Sequence, residues 1–149
     1  MSLELVLFVG LPASGKSTFY WERFAESHVH VSKDLIPRSV DKAKRQRLLI
    51  EQALAEGRSV VVDNTNASPE ERLAAIEPAK AAGARVVAYF FDETVAACRE
   101  RNAKREGDVR VPLVGLYATA KRLRRPTVEE GIDAIHVVRL GPEGFIVEG

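Results

Sequence analysis

The chain alternates short apolar runs with longer segments in which apolar residues recur every three or four positions. Short runs rich in β-branched residues are typical of strands buried on both faces, and the longer period is typical of helices that pack by one face. The strands predicted in this way span residues 5–9, 28–31, 59–63, 85–91 and 134–140. The predicted helices span residues 16–26, 41–56, 69–82, 93–106 and 113–123.

The start of the third helix is marked most clearly. Ser68 is predicted to cap it, Pro69 stands at its first position and Glu71 completes a capping box, while Gly83 ends it. Strands that alternate with helices indicate right-handed crossovers and a parallel sheet covered on both faces. We therefore expect an α/β fold with five parallel strands in one domain over residues 1–149, and a short edge hairpin in the tail at 141–149.

Composition narrows the functional classes. The net charge of +1 gives no overall attraction to nucleic acid, although nine Lys or Arg face three acidic residues between Arg99 and Arg125. The single cysteine, Cys98, excludes an intrachain disulfide. The first residues lack the features of a secretory signal, and no window approaches the ~20 apolar residues of a membrane span. We expect a cytoplasmic protein with no membrane contact and no obligate protein partner.

Residues 10–17 form a phosphate-binding loop. They read Gly-Leu-Pro-Ala-Ser-Gly-Lys-Ser, follow a predicted strand and open a predicted helix, which is the context that separates this motif from a chance glycine turn. Backbone N–H groups and the helix N-terminus would surround a phosphate, Lys16 would bind the β- and γ-phosphates of ATP, and Ser17 would ligate Mg²⁺. The residues predicted to bind the nucleotide phosphates are Gly10, Pro12, Ala13, Ser14, Gly15, Lys16, Ser17 and Thr18.

Acceptor-handling residues are sought where strands two and three end, because ligands of open α/β sheets bind outside the carboxyl ends of the strands. Asp34 follows strand two and could accept a hydrogen bond from an attacking hydroxyl, although most aspartates in such places cap turns. Asp63 ends strand three and could hold Mg²⁺ through water. Asn64 and Asn66 also suit a plain turn. For a P-loop phosphotransferase of this kind we expect the strand order 2-3-1-4-5.

Several segments together resemble a known family. Gly-Leu-Pro-Ala-Ser-Gly-Lys-Ser-Thr-Phe at 10–19, Val-Ser-Lys-Asp at 31–34, Asp-Asn-Thr-Asn at 63–66 and Arg-Asn-Ala-Lys-Arg at 101–105, with Val-Pro at 111–112, occur in this order. They are similar to the kinase domain of polynucleotide 5′-hydroxyl kinases, the end-healing enzymes of nucleic-acid repair. The resemblance covers about residues 4–140.

The resemblance implies a role for each matching residue. Asp34 would be the general base on the 5′-hydroxyl, and Arg38 a candidate contact to the 3′-phosphate of the acceptor. Arg105 would be the catalytic arginine of a helical lid at about 99–112, in contact with the transferring phosphoryl group of ATP. Asn66 would be a polar contact to the acceptor. Arg101, Lys104 and Arg105 would share one helical face, which could instead be a solvated basic surface.

Three functions remain open from the sequence. The first is ATP- and Mg²⁺-dependent phosphorylation of 5′-hydroxyl ends of DNA or RNA. The second is a small-molecule kinase on the same fold, with a nucleoside or similar alcohol as acceptor. The third is a non-catalytic ATP-binding module. One expectation about packing accompanies them: Trp21 and Phe24 share a face of the first helix and are predicted to be core residues.

Overall fold

The computed structural model describes residues 2–107 and 110–149. Its strands are β1 (Glu4–Val9), β2 (Val29–Val31), β3 (Val60–Asp63), β4 (Arg85–Phe91), β5 (Ala134–Gly141) and β6 (Gly144–Glu148). Its α-helices are α1 (Lys16–Arg23), α2 (Lys42–Ala55), α3 (Pro69–Ala81), α4 (Val95–Ala103) and α5 (Leu113–Arg122). Two short 3-10 helices lie at Lys33–Leu35 and Val128–Glu130.

One sheet contains all six of these strands, in the order β2-β3-β1-β4-β5-β6. The first five strands are parallel, in the predicted order, and β6 pairs antiparallel with β5. The expected count of five strands was therefore one too low, because the tail folds back as the hairpin that the sequence suggested. This topology puts the carboxyl ends of β1, β2 and β3 side by side, directly below the phosphate loop.

Each face of the sheet has its own apolar core. On one face, alternate strand residues such as Leu5 and Leu7 pack against α2 and α3, to which Ile50 of α2 contributes. On the other face an aromatic cluster lies under α1, where Phe19 contacts Phe8 and Phe91 in edge-to-face geometry with ring centroids 5.8 and 5.4 Å apart. Because residues 5–9 of β1 are fully buried, the loop that follows this strand starts from a rigid support.

The local signals of α3 are confirmed, with one adjustment. The Ser68 hydroxyl accepts a hydrogen bond from the N–H of Glu71, and Pro69 is the first helical residue. The Glu71 carboxylate binds the N–H of Ala67 rather than that of Ser68. The cap therefore also fixes the loop that leads from β3 into α3.

Two expectations about the helices were wrong. Trp21 is 66% exposed, whereas Phe24 is buried as predicted, because α1 ends at Arg23 and turns only one side toward the sheet. Helix α4 ends at Ala103, so Arg105 lies beyond it and does not share a helical face with Arg101. Within the predicted lid at 99–112, residues 104–107 and 110–112 are not α-helical, and residues 108 and 109 lie outside the described residues.

Membrane insertion was not expected from the sequence. None of the helices within residues 2–107 and 110–149 is long and apolar enough to cross a bilayer.

Candidate active site

The phosphate loop is wound tightly between β1 and α1. Gly10 N–H donates to the carbonyl of Thr65, and Ala13 and Gly15 adopt positive φ angles of 62° and 96°. A Cβ on Gly10 would lie 2.9 Å from the Cβ of Phe91, so only glycine fits there. Positive φ angles turn successive N–H groups inward, which is the geometry of an anion-binding nest at a helix N-terminus.

Lys16 is the charged residue inside this loop. Its ammonium donates to the carbonyl oxygens of Gly10 at 3.1 Å and Leu11 at 2.7 Å. Burial lowers the pKa of Lys16 to about 8, an effect that nearby Asp63 partly opposes. The lowered pKa means that the ammonium has too little counter-charge in the free protein, so a phosphate entering the loop would supply what is missing.

A short polar network joins α1 to the ends of β2 and β3. Ser17 Oγ donates to Asp63 Oδ2 at 2.9 Å, and His30 Nε2 lies 2.8 Å from the same oxygen. Since a carboxylate oxygen accepts, Nε2 carries the hydrogen in this contact. The His30 ring stacks on Tyr20 with ring centroids 3.9 Å apart. Asp63 is 3% exposed and is therefore held in one orientation beside the hydroxyl of Ser17.

Asp34 lies at the end of β2, in the 3-10 helix Lys33–Leu35. Its N–H donates to Ser32 Oγ, while its side chain is exposed toward the cleft. The turn is tied to β3 by Asn64, which accepts a hydrogen bond from the N–H of Lys33 at 2.9 Å and donates to Gln46 Oε1 at 2.6 Å. Asn64 thus fixes the position of Asp34 relative to Asp63.

These side chains share one cleft of about 160 Å³ above the carboxyl ends of β1, β2 and β3. A wider cavity of about 700 Å³ lies at the amino-terminal ends of the same three strands, around Glu4, His28 and Arg58, and involves none of the predicted site residues. The cleft is lined by Pro12, Ala13, Lys16, Ser17, Asp34, Asp63, Asn64, Thr65, Arg105 and Val111.

The segment after α4 closes one side of the cleft. Arg105 lines it and lies near enough to Lys16 to lower the pKa of the ammonium, after the larger effect of burial. Arg101 has a different role, since it donates to the carbonyl of Ala13 at 2.8 Å and pairs with Glu93 at 3.1 Å. Asn102 fixes the returning chain through two hydrogen bonds to the backbone of Val111.

Six predicted site residues lie outside the cleft lining: Asn66, Arg38, Thr18, Gly10, Ser14 and Gly15. The Asn66 amide is 3% exposed and donates to the carbonyls of Phe8 and Val62, so it shapes the backbone rather than contacting an acceptor. Arg38 lies on an exposed turn and makes no side-chain hydrogen bond within the described ranges. Thr18 is exposed on the first turn of α1. Gly10, Ser14 and Gly15 contribute to the site through the loop backbone.

The sequence did not single out His30, Asn64 or Arg101 as parts of the site. His30 stands between two valines in a strand, a pattern that is equally typical of a structural residue. Asn64 was explained equally well by a turn. Position in the chain could have identified His30 and Asn64, because each stands within one residue of the end of a strand that leads into the cleft.

The residues present fit a nucleotide with Mg²⁺. For the phosphates, the loop offers inward-facing N–H groups and the buried ammonium of Lys16, which has too little negative charge around it. Ser17 and Asp63 offer two oxygen atoms that are 2.9 Å apart. Mg²⁺ in such sites is held by one or two protein oxygens together with phosphate oxygens and water, so this donor set suits it.

Comparisons with known proteins agree with this geometry. A protein-family model described as an AAA domain matches residues 5–126. Among curated proteins, the bifunctional polynucleotide phosphatase/kinase of Schizosaccharomyces pombe is 30% identical over 139 residues, which are 91% of this chain and 33% of the relative. The chain thus spans about a third of the length of that relative.

Solved structures share the fold at lower identity. A fungal RNA kinase superposes with a TM-score of 0.70 at 12% identity, over 95% of this chain and 78% of that chain. The APS kinase of Mycobacterium tuberculosis, in complex with AMPPNP and APS, superposes with a TM-score of 0.57 at 22% identity, over 91% and 88% of the two chains. The chain therefore belongs to the AAA-domain family, has the fold of P-loop kinases, and is similar in sequence to a polynucleotide phosphatase/kinase.

Proposed function

We propose that this chain is an ATP-dependent kinase that transfers the γ-phosphoryl group to the 5′-hydroxyl end of a DNA or RNA strand. The observation that carries the proposal is the placement of Asp34 in the same cleft as Lys16, Ser17 and Arg105. A phosphotransferase needs a carboxylate near the phosphate-binding loop to accept the proton of the acceptor hydroxyl, whereas a protein that only binds nucleotide does not need one.

The donor side follows from the loop. The N–H groups of the loop and the Lys16 ammonium hold the β- and γ-phosphates, and Arg105 approaches from the segment after α4. Mg²⁺ would neutralise charge on the β- and γ-phosphate oxygens. Ser17 and Asp63 would hold it, with Asp63 acting through water because its Oδ2 already accepts from Ser17 and His30.

The acceptor side depends on Asp34. Its carboxylate accepts the proton of the attacking hydroxyl while the oxygen of that hydroxyl bonds to the γ-phosphorus and ADP leaves. Lys16 and Arg105 stabilise the negative charge on the phosphoryl oxygens during the transfer, and an arginine in this role can accelerate transfer by about 10³–10⁵. The rest of the rate acceleration would come from the fixed position of Asp34, since Asn64 holds the turn that carries it.

A polynucleotide acceptor is supported by two observations. The curated relative at 30% identity is a polynucleotide phosphatase/kinase, and the match covers 91% of this chain. The side chain of Asp34 is exposed rather than enclosed, so an end of a long strand can reach it. A small-molecule acceptor would be expected to need a closed pocket around the carboxylate.

The test is transfer from γ-labelled ATP in the presence of Mg²⁺, with 5′-hydroxyl DNA and RNA oligonucleotides and free nucleosides as separate acceptors. We expect label on oligonucleotide ends. Asp34→Asn should lower kcat by about 10²–10⁴ with little change in the KM for ATP, because it removes a general base but no phosphate contact. Lys16→Met should abolish transfer.

The matched control is Asp41→Asn. Asp41 is an exposed aspartate that caps α2 through its side chain, outside the cleft, and asparagine caps equally well, so its activity should match the unmodified chain. Label on nucleosides alone would replace the polynucleotide acceptor by a small molecule. ATP binding without transfer to any acceptor would contradict the proposal.

A further inference from the structure

Trp21 is an exposed aromatic residue held in a fixed orientation. It is 66% exposed, although tryptophan is usually well buried in folded proteins. Its ring is nearly perpendicular to those of Tyr20 and His30, at centroid distances of 5.2 and 5.9 Å and interplanar angles of 81° and 78°. Tyr20 and His30 are themselves stacked, at 3.9 Å. The indole is therefore held against two perpendicular rings while much of its surface faces solvent.

The indole lies close to the proposed reaction centre. His30 contacts Trp21 on one side and the carboxylate of Asp63 on the other, at 2.8 Å. Trp21 also stands one helical turn after Ser17 on α1, since residues four apart share a helical face. One imidazole ring thus separates the indole from the cleft.

The surrounding segment is basic. Between residues 33 and 47 the chain has six lysine or arginine residues against two acidic ones, and one of the acids is Asp34. Arg38, Lys44, Arg45 and Arg47 are exposed. A phosphodiester backbone that enters the cleft along this segment would meet positive charge, which is the main source of sequence-independent affinity for nucleic acid.

An edge strand of the sheet connects the indole to the basic segment. This strand is β2: His30, within it, contacts Trp21, and the basic segment begins two residues after β2 ends. A nucleic-acid strand with its 5′ end at Asp34 can therefore run past this edge with its phosphates near the cations and a base near the indole.

We propose that Trp21 is a stacking platform for a nucleobase of the acceptor strand, within the first few nucleotides of the 5′ end. This inference rests on the proposed function, because it assigns a polynucleotide to the acceptor side. Proteins that bind single strands without sequence preference combine a basic groove with an aromatic ring on which bases stack. The platform would therefore give affinity for single-stranded ends of any sequence.

The chain offers a direct readout of stacking, since Trp21 is its only tryptophan. The probe is a set of 5′-hydroxyl oligonucleotides with a fluorescent label at the 3′ end, added to the protein with Mg²⁺ and ADP, which fills the nucleotide site without permitting transfer. Anisotropy of the label reports binding, and tryptophan emission reports stacking. We expect bound oligonucleotides to quench tryptophan emission.

Abasic nucleotides locate the contact. Oligonucleotides with one abasic residue at the first, second or third position should still bind, and one of the three should lose the quenching. Quenching that persists with every abasic strand would overturn the proposal. So would full quenching by ADP or ATP before any oligonucleotide is added, because the indole would then bind the donor base.

Variants measure what the platform contributes. Trp21→Ala should raise the KM for oligonucleotides about tenfold with kcat unchanged, in line with the loss of one stacked base, and Trp21→Phe should restore most of the affinity. Leu73→Ala is the matched control, since Leu73 is a 49% exposed apolar residue on α3, and its KM should not change.

The two proposals fail differently. If oligonucleotides are phosphorylated and bind but do not quench Trp21, the platform is wrong and the kinase assignment stands. If oligonucleotides neither bind nor accept label, the proposed function is wrong and the platform falls with it.

Discussion

Lys16 shows how one buried charge prepares the site for its ligand. Its ammonium has carbonyl oxygens as its nearest partners, and burial lowers its pKa to about 8. The lowered pKa reflects a free-energy cost of burial, because each unit corresponds to about 1.4 kcal/mol. Nucleotide phosphates would remove that cost by placing negative charge beside the ammonium.

This arrangement predicts a pH dependence for nucleotide binding. Above pH 8 the free protein holds Lys16 mostly neutral, so nucleotide must bind together with a proton. Affinity should then fall by up to about tenfold for each pH unit above 8. Calorimetry at pH 9 in buffers of different ionisation enthalpy should detect this proton uptake. Lys16→Met should abolish the uptake, whereas Lys80→Met, at an exposed lysine on α3, should keep it.

The lowered pKa of Lys16 also predicts how the free energy of unfolding changes with pH. Between pH 8 and 10.5 the unfolded chain binds the Lys16 proton and the folded chain does not, so the free energy of unfolding should rise with pH across this window. A fall across the same window in the unmodified chain, relative to Lys16→Met, would contradict the proposed burial of the charge.

At the scale of elements, the ends of β2 and β3 form one unit through Asn64. Its carbonyl oxygen accepts from the N–H of Lys33, and its amide donates to Gln46, a residue of α2 that is 3% exposed. Three elements therefore meet at one side chain, next to Asp34. The orientation of the proposed base depends on this junction more than on the 3-10 helix in which it lies.

Asn64→Ala should test that dependence. The substitution frees the turn that carries Asp34 but leaves the phosphate loop intact, so kcat should fall by about tenfold or more while nucleotide affinity stays within twofold. Transfer kinetics and nucleotide titration measure the two effects separately. Glu51→Ala, which breaks only the exposed Arg47–Glu51 pair of α2, should change neither. Equal losses of kcat and nucleotide affinity in Asn64→Ala would indicate general disruption instead.

Elements with strong local signals were predicted well from the sequence. The bounds of β4 agree with the prediction, and α3 begins at Pro69 as its cap predicts, because these features depend on neighbouring residues. The exposure of Trp21 and the early end of α4 could not be predicted in this way. Both depend on which side of a helix meets the sheet and on contacts such as Arg101 with Ala13, which are 88 residues apart in the chain.

At the scale of the whole molecule, the phosphate loop depends on neighbouring residues, whereas the rest of the candidate site depends on contacts between distant segments. The phosphate loop was predictable because its residues are contiguous. The network of Ser17, His30 and Asp63 was predictable only in part, since it needs the strand order to bring three distant segments together. The strand order was expected from the fold class. The contact of His30 with Asp63 could not be predicted, because it depends on which side chains of β2 point toward α1.

Arg72 links other segments that are far apart in the chain and should dominate the stability of the loop after β3. Its side chain is fully buried on α3, pairs with Glu130 at 2.7 Å, and donates to the carbonyls of Asn66, Ala67 and Arg124. One guanidinium thus ties the loop after β3 to the segment before β5. Burial tends to raise the pKa of Glu130, but hydrogen bonds from Arg72 and Thr127 hold it below its ordinary value.

Arg72→Met should lower the free energy of unfolding by about 3 kcal/mol, because it removes the charge partner of the partly buried Glu130 carboxylate and the guanidinium donor to the carbonyls of Asn66 and Arg124. Lys80→Met is the matched control on the same helix. It removes the Lys80–Asp133 pair, whose side chains are both 44% exposed, and should cost less than about 1 kcal/mol. Urea denaturation at pH 7 compares the two variants.

Measurements at acidic pH distinguish the contribution of the Arg72–Glu130 ion pair to stability from the contribution of packing. Since the pKa of Glu130 is lowered in the folded chain, its contribution to stability is present above the ordinary carboxyl pKa and is lost as pH falls through the lowered value. The gap in stability between the unmodified chain and Arg72→Met should therefore narrow below about pH 4. A gap that stays constant with pH would mean that Arg72 acts through packing and carbonyl contacts alone, and that the charge of Glu130 contributes nothing to holding the β3 loop in place.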